Sequence, residues 1–184
     1  MSDFKSFLNN HASRGMRNNN PGNLVRTATA WKGKIPYSQS QDNHFEQFTD
    51  IHWGIRALMV NLRTQQNKYK LNTVAKQITK YAPPTENNTA QYINFVAEKM
   101  GVTPHAVIDV NNQATMLKMA KAIVLMEVGQ SAYNQLEAVD FETAYNRISG
   151  NVEEVSAVQK TCKYCGHVIA VLALFFFTYS AITM

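Results

Sequence analysis

Cysteine is scarce in this sequence of 184 residues, with Cys162 and Cys165 as the only two. Together with the nearby His167 they fall short of the four ligands that a structural zinc site needs. The residues before them lack the strand–helix–strand pattern that accompanies a thioredoxin-type Cys-x-x-Cys motif. We therefore predict two thiols, reduced or lipidated, and neither a metal site nor a bound cofactor.

Acidic residues are also few, with 13 Asp and Glu against 18 Lys and Arg, which gives a formal net charge of +5. A positive balance favours a polyanionic partner such as nucleic acid, an anionic membrane surface or a bacterial cell wall. The basic residues are scattered, without a block of five or more and without zinc-finger spacing or a recognition-helix signature. We therefore expect no nucleic-acid partner.

The two ends of the chain differ in hydropathy. Residues 1–15 lack the apolar stretch of a secretory signal, because Asp3, Lys5 and His11 interrupt them. Residues 168–184 carry no charge, and about 17 residues is the lower limit for a membrane-spanning helix. A core helix would show a polar face, which this run lacks. We predict a folded domain over residues 1–150, a linker over 151–166 and one transmembrane anchor over 167–184.

Helical spacing and capping signals dominate residues 49–148. A short helix is expected to begin at Thr103-Pro104, and residues 33–48 are predicted to form at most a small β-hairpin. The fold prediction is therefore mainly α. The clearest helices are expected from Ile51 past Leu62 after Thr49 or Asp50, from Val74 to Tyr81 after Thr73, from Thr89 to Met100, from Asn112 or Thr115 to Val128, and from Asp140 to Ile148.

Residues 17–23 read Arg-Asn-Asn-Asn-Pro-Gly-Asn. Proline followed by glycine strongly favours a turn, and asparagine tolerates left-handed backbone. Amides both donate and accept hydrogen bonds, which suits a ligand that carries hydroxyl and acetamido groups, such as a sugar. We predict that Asn19, Asn20 and Asn23 bind such a ligand. The alternative is a solvated turn without a ligand.

Further motifs follow in order, namely Trp31-Lys32-Gly33, Trp53-Gly54-Ile55-Arg56-Ala57 and Pro83-Pro84-Thr85-Glu86-Asn87-Asn88-Thr89. With the Asn-rich turn, this array over residues 15–102 resembles a family of small phage virion proteins that belong with lysozyme-like cell-wall lysins. It is more distantly similar to bacterial autolysin glucosaminidases, and residues 86–92 are similar to a stretch of soluble lytic transglycosylases. The resemblance implies a mostly helical, lysozyme-like domain that cleaves peptidoglycan.

Lysozyme-type chemistry needs a carboxylic acid that protonates the glycosidic oxygen and whose pKa is raised by apolar surroundings. Glu86 follows a rigid Pro-Pro corner and matches the family's Pro-Pro-x-Glu-Asn motif, so it is the predicted acid. Glu46, between Phe45 and Phe48, is the alternative. Glu98 and Glu127 fall within predicted helices and are expected to be solvated or satisfied.

Three other residues are predicted to contact the substrate. Trp31 is expected to stack on a sugar face, Tyr92 to bond an acetamido group and Asn87 to lie beside the acid. The glucosaminidases carry their acid on a helix before the Asn-rich turn, whereas this chain has no glutamate there. Either the acid lies downstream, or the fold is kept without the chemistry.

These observations predict a virion-associated peptidoglycan-cleaving enzyme, a muramidase or lytic transglycosylase, that acts during phage entry or release. Its expected partners are peptidoglycan, the lipid membrane of the phage or host, and other virion proteins. The alternative is a non-catalytic, membrane-anchored virion protein that binds peptidoglycan. A stem-peptide peptidase is not supported, because residues 1–150 contain neither a His-Cys pair nor a metal triad.

Overall fold

The computed structural model describes residues 4–84 and 88–149. The chain divides into two units, residues 1–148 and 149–184, and the description below concerns the first. Within the described residues there is no strand, only isolated β-bridges between extended segments. The prediction of a mainly helical fold is thus confirmed. The helices are α1 (Arg14–Arg17), α2 (Ile51–Tyr69), α3 (Val74–Tyr81), α4 (Thr89–Met100), α5 (Gln113–Val128), α6 (Gln130–Tyr133) and α7 (Ala138–Ser149).

The helix boundaries follow the capping residues that the sequence shows. The Asp50 carboxylate accepts hydrogen bonds from two backbone N–H groups at the start of α2. Thr73 and Asn112 cap α3 and α5 in the same way, which satisfies N–H groups that have no partner inside a helix. At the end of α4, Gly101 adopts the left-handed conformation with φ of 73°. Local chemistry therefore decides where these helices start and stop.

The short helix predicted at Thr103-Pro104 is wrong. The segment instead runs beside the entry to α3, where the Ala75 N–H donates to the Pro104 carbonyl and the Ile108 N–H donates to the Asn72 carbonyl, both at 2.9 Å. Pairing with another segment satisfies these backbone groups without a helix. Residues 33–48, predicted to form at most a hairpin, contribute only isolated bridges from Lys34 and Phe45 to Phe48 and Val25.

Two apolar clusters hold the fold together. The larger one packs α2, α3, α4, α5 and α7 around fully buried side chains such as Leu62, Ile78, Met119 and Ile123. The smaller one lies beneath residues 18–49, here called the loop region, and consists of Leu24, Phe48 and Ala57 with Trp31, Trp53 and Tyr81 against them. The smaller cluster fixes the loop region on the surface of α2.

Buried polar contacts attach α7 to the start of α2. His52 Nε2 lies 3.1 Å from Asp140 Oδ1, and Lys5 Nζ lies 2.7 Å from Asp140 Oδ2. Burial by itself would raise the pKa of Asp140, but hydrogen bonds from His52, the Glu137 N–H and Lys5 lower it to about 2. Asp140 is therefore ionised at neutral pH and stabilises this junction.

The predicted linker and membrane anchor, together with Cys162 and Cys165, lie outside the described residues. Among the helices of residues 4–84 and 88–149, none is long and apolar enough to cross a membrane. The anchor over residues 167–184 stays a prediction.

Candidate active site

A cleft of about 770 Å³ is lined by the loop region, by α2, by the end of α3 and by the end of α5. The lining residues of α2 run from Val60 to Tyr69, a distance of about 14 Å along the helix axis. Both polar and apolar side chains line the cleft, including Asn23, Trp31 and Tyr81. Its length and mixed lining suit an extended ligand with both hydroxyl groups and apolar ring faces.

Glu127 is the only carboxylate among the described residues that line this cleft. Its Oε1 atom accepts a hydrogen bond of 2.7 Å from the Tyr92 hydroxyl, and its Oε2 atom accepts one of 2.8 Å from Asn23 Nδ2. Burial raises the pKa of Glu127 above the ordinary value of 4.5, and the bonds from Tyr92 and Asn23 act in the opposite direction. A half-buried carboxyl group with a raised pKa is the form that general acids take.

Three different segments position Glu127. Asn23 belongs to the Asn-rich turn, where its backbone φ of 48° is left-handed, and Tyr92 lies on α4. The Tyr81 hydroxyl, at the end of α3, donates to the Gly22 carbonyl and holds the turn against the helices. Each donor is neutral, so together they fix the carboxyl group without an ion pair that would keep it charged.

Asn19 and Asn20 lie in the protein interior and are fully buried. The Asn20 amide donates to the carbonyls of Leu24 and Glu46 and accepts from the Leu24 N–H. Asn19 donates to Ser6 Oγ and the Phe48 carbonyl and accepts from the Phe7 N–H. This placement indicates that both amides stabilise the loop region, whereas Asn23 is the asparagine of the turn that lines the cleft.

Glu46, the alternative acid of the sequence analysis, is completely buried outside the cleft lining. Its Oε1 atom accepts bonds of 3.0 Å from the Thr27 N–H, Lys34 Nζ and the Tyr37 hydroxyl. These contacts tie three parts of the loop region to one carboxylate. The arrangement indicates a structural role for Glu46.

Replacing Glu46 with glutamine is therefore expected to destabilise the fold. The molecules that remain folded should keep the predicted cleavage of peptidoglycan. Lys34 would lose its carboxylate partner, and hydrogen bonds to charged groups contribute about 1.5 to 3 kcal/mol. Urea unfolding should show a loss of that size, and the exposed Glu142→Gln variant should show almost none. Loss of wall lysis by a Glu46→Gln variant of normal stability would assign the acid to Glu46 instead.

The remaining predicted site residues fall into two groups. Trp31 is half-buried and lines the cleft. Tyr92 is buried and is not part of the cleft lining, but its hydroxyl donates a hydrogen bond to Glu127. Glu86 and Asn87 lie outside the described residues, so their predicted roles as acid and substrate contact remain predictions. In the chain they follow Ala82, which lines the cleft.

A second pocket of about 420 Å³ is formed around Arg14 and Asp42. The Arg14 guanidinium holds Asp42 through two bonds of 2.7 and 2.8 Å, and Asn18 Nδ2 and two backbone N–H groups also donate to that carboxylate. The Arg14 contact, the first of several that outweigh burial, lowers the pKa of Asp42 well below its usual range. These groups satisfy one another, and Asp42 is the only carboxylate among the described residues that line this pocket.

Sequence reasoning placed Glu127 on a helix, solvated or satisfied, and did not identify its partners, because they are distant in the chain. One signal does single it out. Glu127 is the only acidic residue of α5 and lies in its last turn, where the helix dipole disfavours negative charge. It also follows an apolar run over residues 122–126. An acid in such a position needs neutral donors or a proton to be stable.

Comparison with known proteins finds similarity to Protein P5 of Pseudoalteromonas phage PM2. The two sequences are 38% identical over 128 residues, which cover 67% of this chain and 76% of Protein P5. No protein-family model matches the chain.

Proposed function

This chain belongs to the same family as Protein P5 of Pseudoalteromonas phage PM2, a bacteriophage protein, and we propose that it is a virion-associated enzyme that cleaves the glycan strands of bacterial peptidoglycan. The observation that carries the proposal is the Glu127 carboxyl group, which is half-buried in an extended cleft and, among residues 4–84 and 88–149, is held only by neutral donors. The resemblance of the Asn-rich turn and the motifs after it to those of lysozyme-like lysins favours the same substrate.

Glu127 acts as the general acid in this proposal. A strand of N-acetylated sugars lies along the cleft, and the Glu127 proton passes to the glycosidic oxygen as the bond to C1 breaks. Each carboxyl oxygen keeps a lone pair beside its bond from Tyr92 or Asn23, so the proton can be carried without disturbing these contacts. The raised pKa keeps a larger protonated fraction at the pH of the reaction.

The cleft holds a single carboxylate within residues 4–84 and 88–149, which favours the transglycosylase type over a two-carboxylate hydrolase. In that type the acetamido and hydroxyl groups of the muramic acid complete the reaction, so no second protein carboxylate is needed. Trp31 contributes a ring face for a sugar, and Asn23 orients the acid. The alternative acid is Glu86, which matches the Pro-Pro-x-Glu-Asn motif of the lysins that the sequence resembles.

The virion provides the route to the wall in this proposal, and the predicted anchor over residues 167–184 would hold the enzyme at a phage or host membrane.

The proposal is tested by incubating the full chain with purified peptidoglycan and assaying new reducing or anhydro sugar ends and new amino groups separately. Sugar ends without amino groups support a glycosidase. Amino groups alone would indicate a peptidase, and wall binding without cleavage would indicate the structural-protein alternative.

The pH profile gives a test of the Tyr92 contact. A hydrogen bond to the ionised carboxylate lowers its pKa, so Tyr92→Phe is expected to raise the pKa of Glu127. The protonated acid then persists to higher pH, and the alkaline limb of the kcat/KM profile should shift to higher pH. Tyr145→Phe, which makes the same change outside the cleft, should leave the limb in place. An unchanged limb in the Tyr92 variant would separate Glu127 from the rate-limiting proton transfer.

A further inference from the structure

Positive charge is concentrated on α2 and α3. Residues 51–85 contain six Lys and Arg residues and no Asp or Glu, although the chain as a whole has 13 acidic residues. Arg56 and Arg63 are half-buried, and Arg56 donates to the Arg147 carbonyl on α7. The other four are exposed lysines at the end of α2, between the two helices and on α3, namely Lys68, Lys70, Lys76 and Lys80.

Two of these lysines lie close to an exposed aromatic ring at the cleft. The ammonium groups of Lys68 and Lys80 are 5.4 and 5.9 Å from the centre of the Tyr69 ring. Tyr69 is 53% exposed, and both Tyr69 and Lys80 line the cleft that contains Glu127. We call Lys68, Tyr69 and Lys80 the basic rim.

The two ammonium groups of the basic rim are not neutralised locally. Neither makes an ion pair with a carboxylate in the part of the chain that the structure describes. Along the sequence, the nearest acids are Asp50, 18 positions before Lys68, and Glu86, 6 positions after Lys80. Lysines that are not paired with carboxylates make the electrostatic potential around them positive. An anionic group that reaches this end of the cleft is therefore attracted there.

We propose that the basic rim binds the carboxylates of the stem peptides that branch from the glycan strand. This proposal rests on the proposed function, because it assigns a place to the charged part of the same substrate. The sugars of the strand are uncharged along its axis, whereas the peptides joined to muramic acid carry free carboxylates. A strand in the cleft therefore delivers carboxylates to Lys68 and Lys80, and the Tyr69 ring provides an apolar contact beside them.

The rim accordingly selects strands that still carry their peptides. Exposed ion pairs contribute about 0.2 to 1 kcal/mol each and are weakened by salt. Two such contacts predict a difference in affinity of about two- to thirty-fold between substituted and bare strands. The rim takes no part in the proton transfer, since the proposed acid lies on α5.

The test measures binding of the full-length Glu127→Gln protein, so that cleavage does not consume the wall. Two preparations are compared: purified sacculi with intact stem peptides, and glycan strands stripped of peptides by an amidase, in which the lactyl carboxylates that the amidase exposes are then converted to amides. Tighter binding to intact sacculi that weakens with salt is expected. Lys68→Gln/Lys80→Gln should lose this preference and bind stripped strands normally. Lys99→Gln/Lys118→Gln, an equal charge change on exposed lysines of α4 and α5, should retain it.

Equal binding of both preparations by the Glu127→Gln protein would overturn the proposal. It would also be overturned if the Lys68→Gln/Lys80→Gln variant kept the preference, or if duplex DNA or anionic lipid vesicles competed as well as stem peptides. Each of these results leaves the proposed function standing, because binding is scored without cleavage. Conversely, failure of the unmodified protein to cleave walls would refute the enzymatic proposal while the binding preference is read independently.

Discussion

Glu127→Gln is expected to lower the rate of wall lysis by about 100- to 10,000-fold, the contribution of a positioned general acid. Glutamine keeps the size of the side chain and still accepts hydrogen bonds from Tyr92 or Asn23, but it carries no transferable proton. The variant should therefore fold normally and bind wall with little change. Dye release from labelled sacculi measures the rate, and a thermal melt checks the fold.

Two matched variants make this result specific. Glu98→Gln places the same substitution on an exposed glutamate of α4, whose side chain is 77% exposed, and should retain full activity. Glu86→Gln tests the acid that the resemblance to lysozyme-like lysins implies. If Glu86→Gln abolishes lysis and Glu127→Gln does not, the acid is Glu86, and Glu127 only fastens α5 to the Asn-rich turn.

Gly54→Ala is expected to be the most disruptive single-methyl change in the fold. A Cβ atom on Gly54 would lie 1.8 Å from the Asn19 carbonyl oxygen, far inside van der Waals contact, because α2 crosses the Asn-rich turn at this residue. The turn must move away, and with it the smaller apolar cluster and Asn23. We expect a loss of at least about 3 kcal/mol in the free energy of unfolding, together with loss of lysis.

The sign of this effect is diagnostic, because glycine to alanine inside an exposed helix usually stabilises by about 1 kcal/mol. Gly101→Ala is the control. Its φ of +73° is left-handed but nothing lies within 4 Å of the added methyl group, so only a backbone term of about 1 to 2 kcal/mol is expected. Urea unfolding compares the two. A stabilised Gly54→Ala protein would show that α2 does not pack on the turn.

The helices were predictable because their signals are local. Asp50, Thr73 and Asn112 each cap a helix that starts at the next residue, and an apolar stripe fixes which face is buried. The left-handed backbone of Asn19 and Asn23 likewise follows from a property of asparagine itself. Elements whose chemistry lies within a few residues can be derived without tertiary information.

The site was harder to predict because it depends on residues far apart in the chain. Asn23 and Glu127 are separated by 104 positions, and Tyr92 and Glu127 by 35. No local pattern specifies that these three side chains meet. The same limitation hid the burial of Asn19 and Asn20, since an amide that satisfies backbone groups and one that meets a sugar have the same sequence signature.

The central claim is that the cleft around Glu127 cuts peptidoglycan glycan strands. The most direct measurement is mass spectrometry of the soluble fragments released from purified sacculi by the full chain, with the Glu127→Gln protein as the blank. We predict muropeptides that end in intact stem peptides and carry anhydro-muramic or reducing muramic ends, absent from the blank. Release of free stem peptides, or identical fragments from both proteins, would contradict the account.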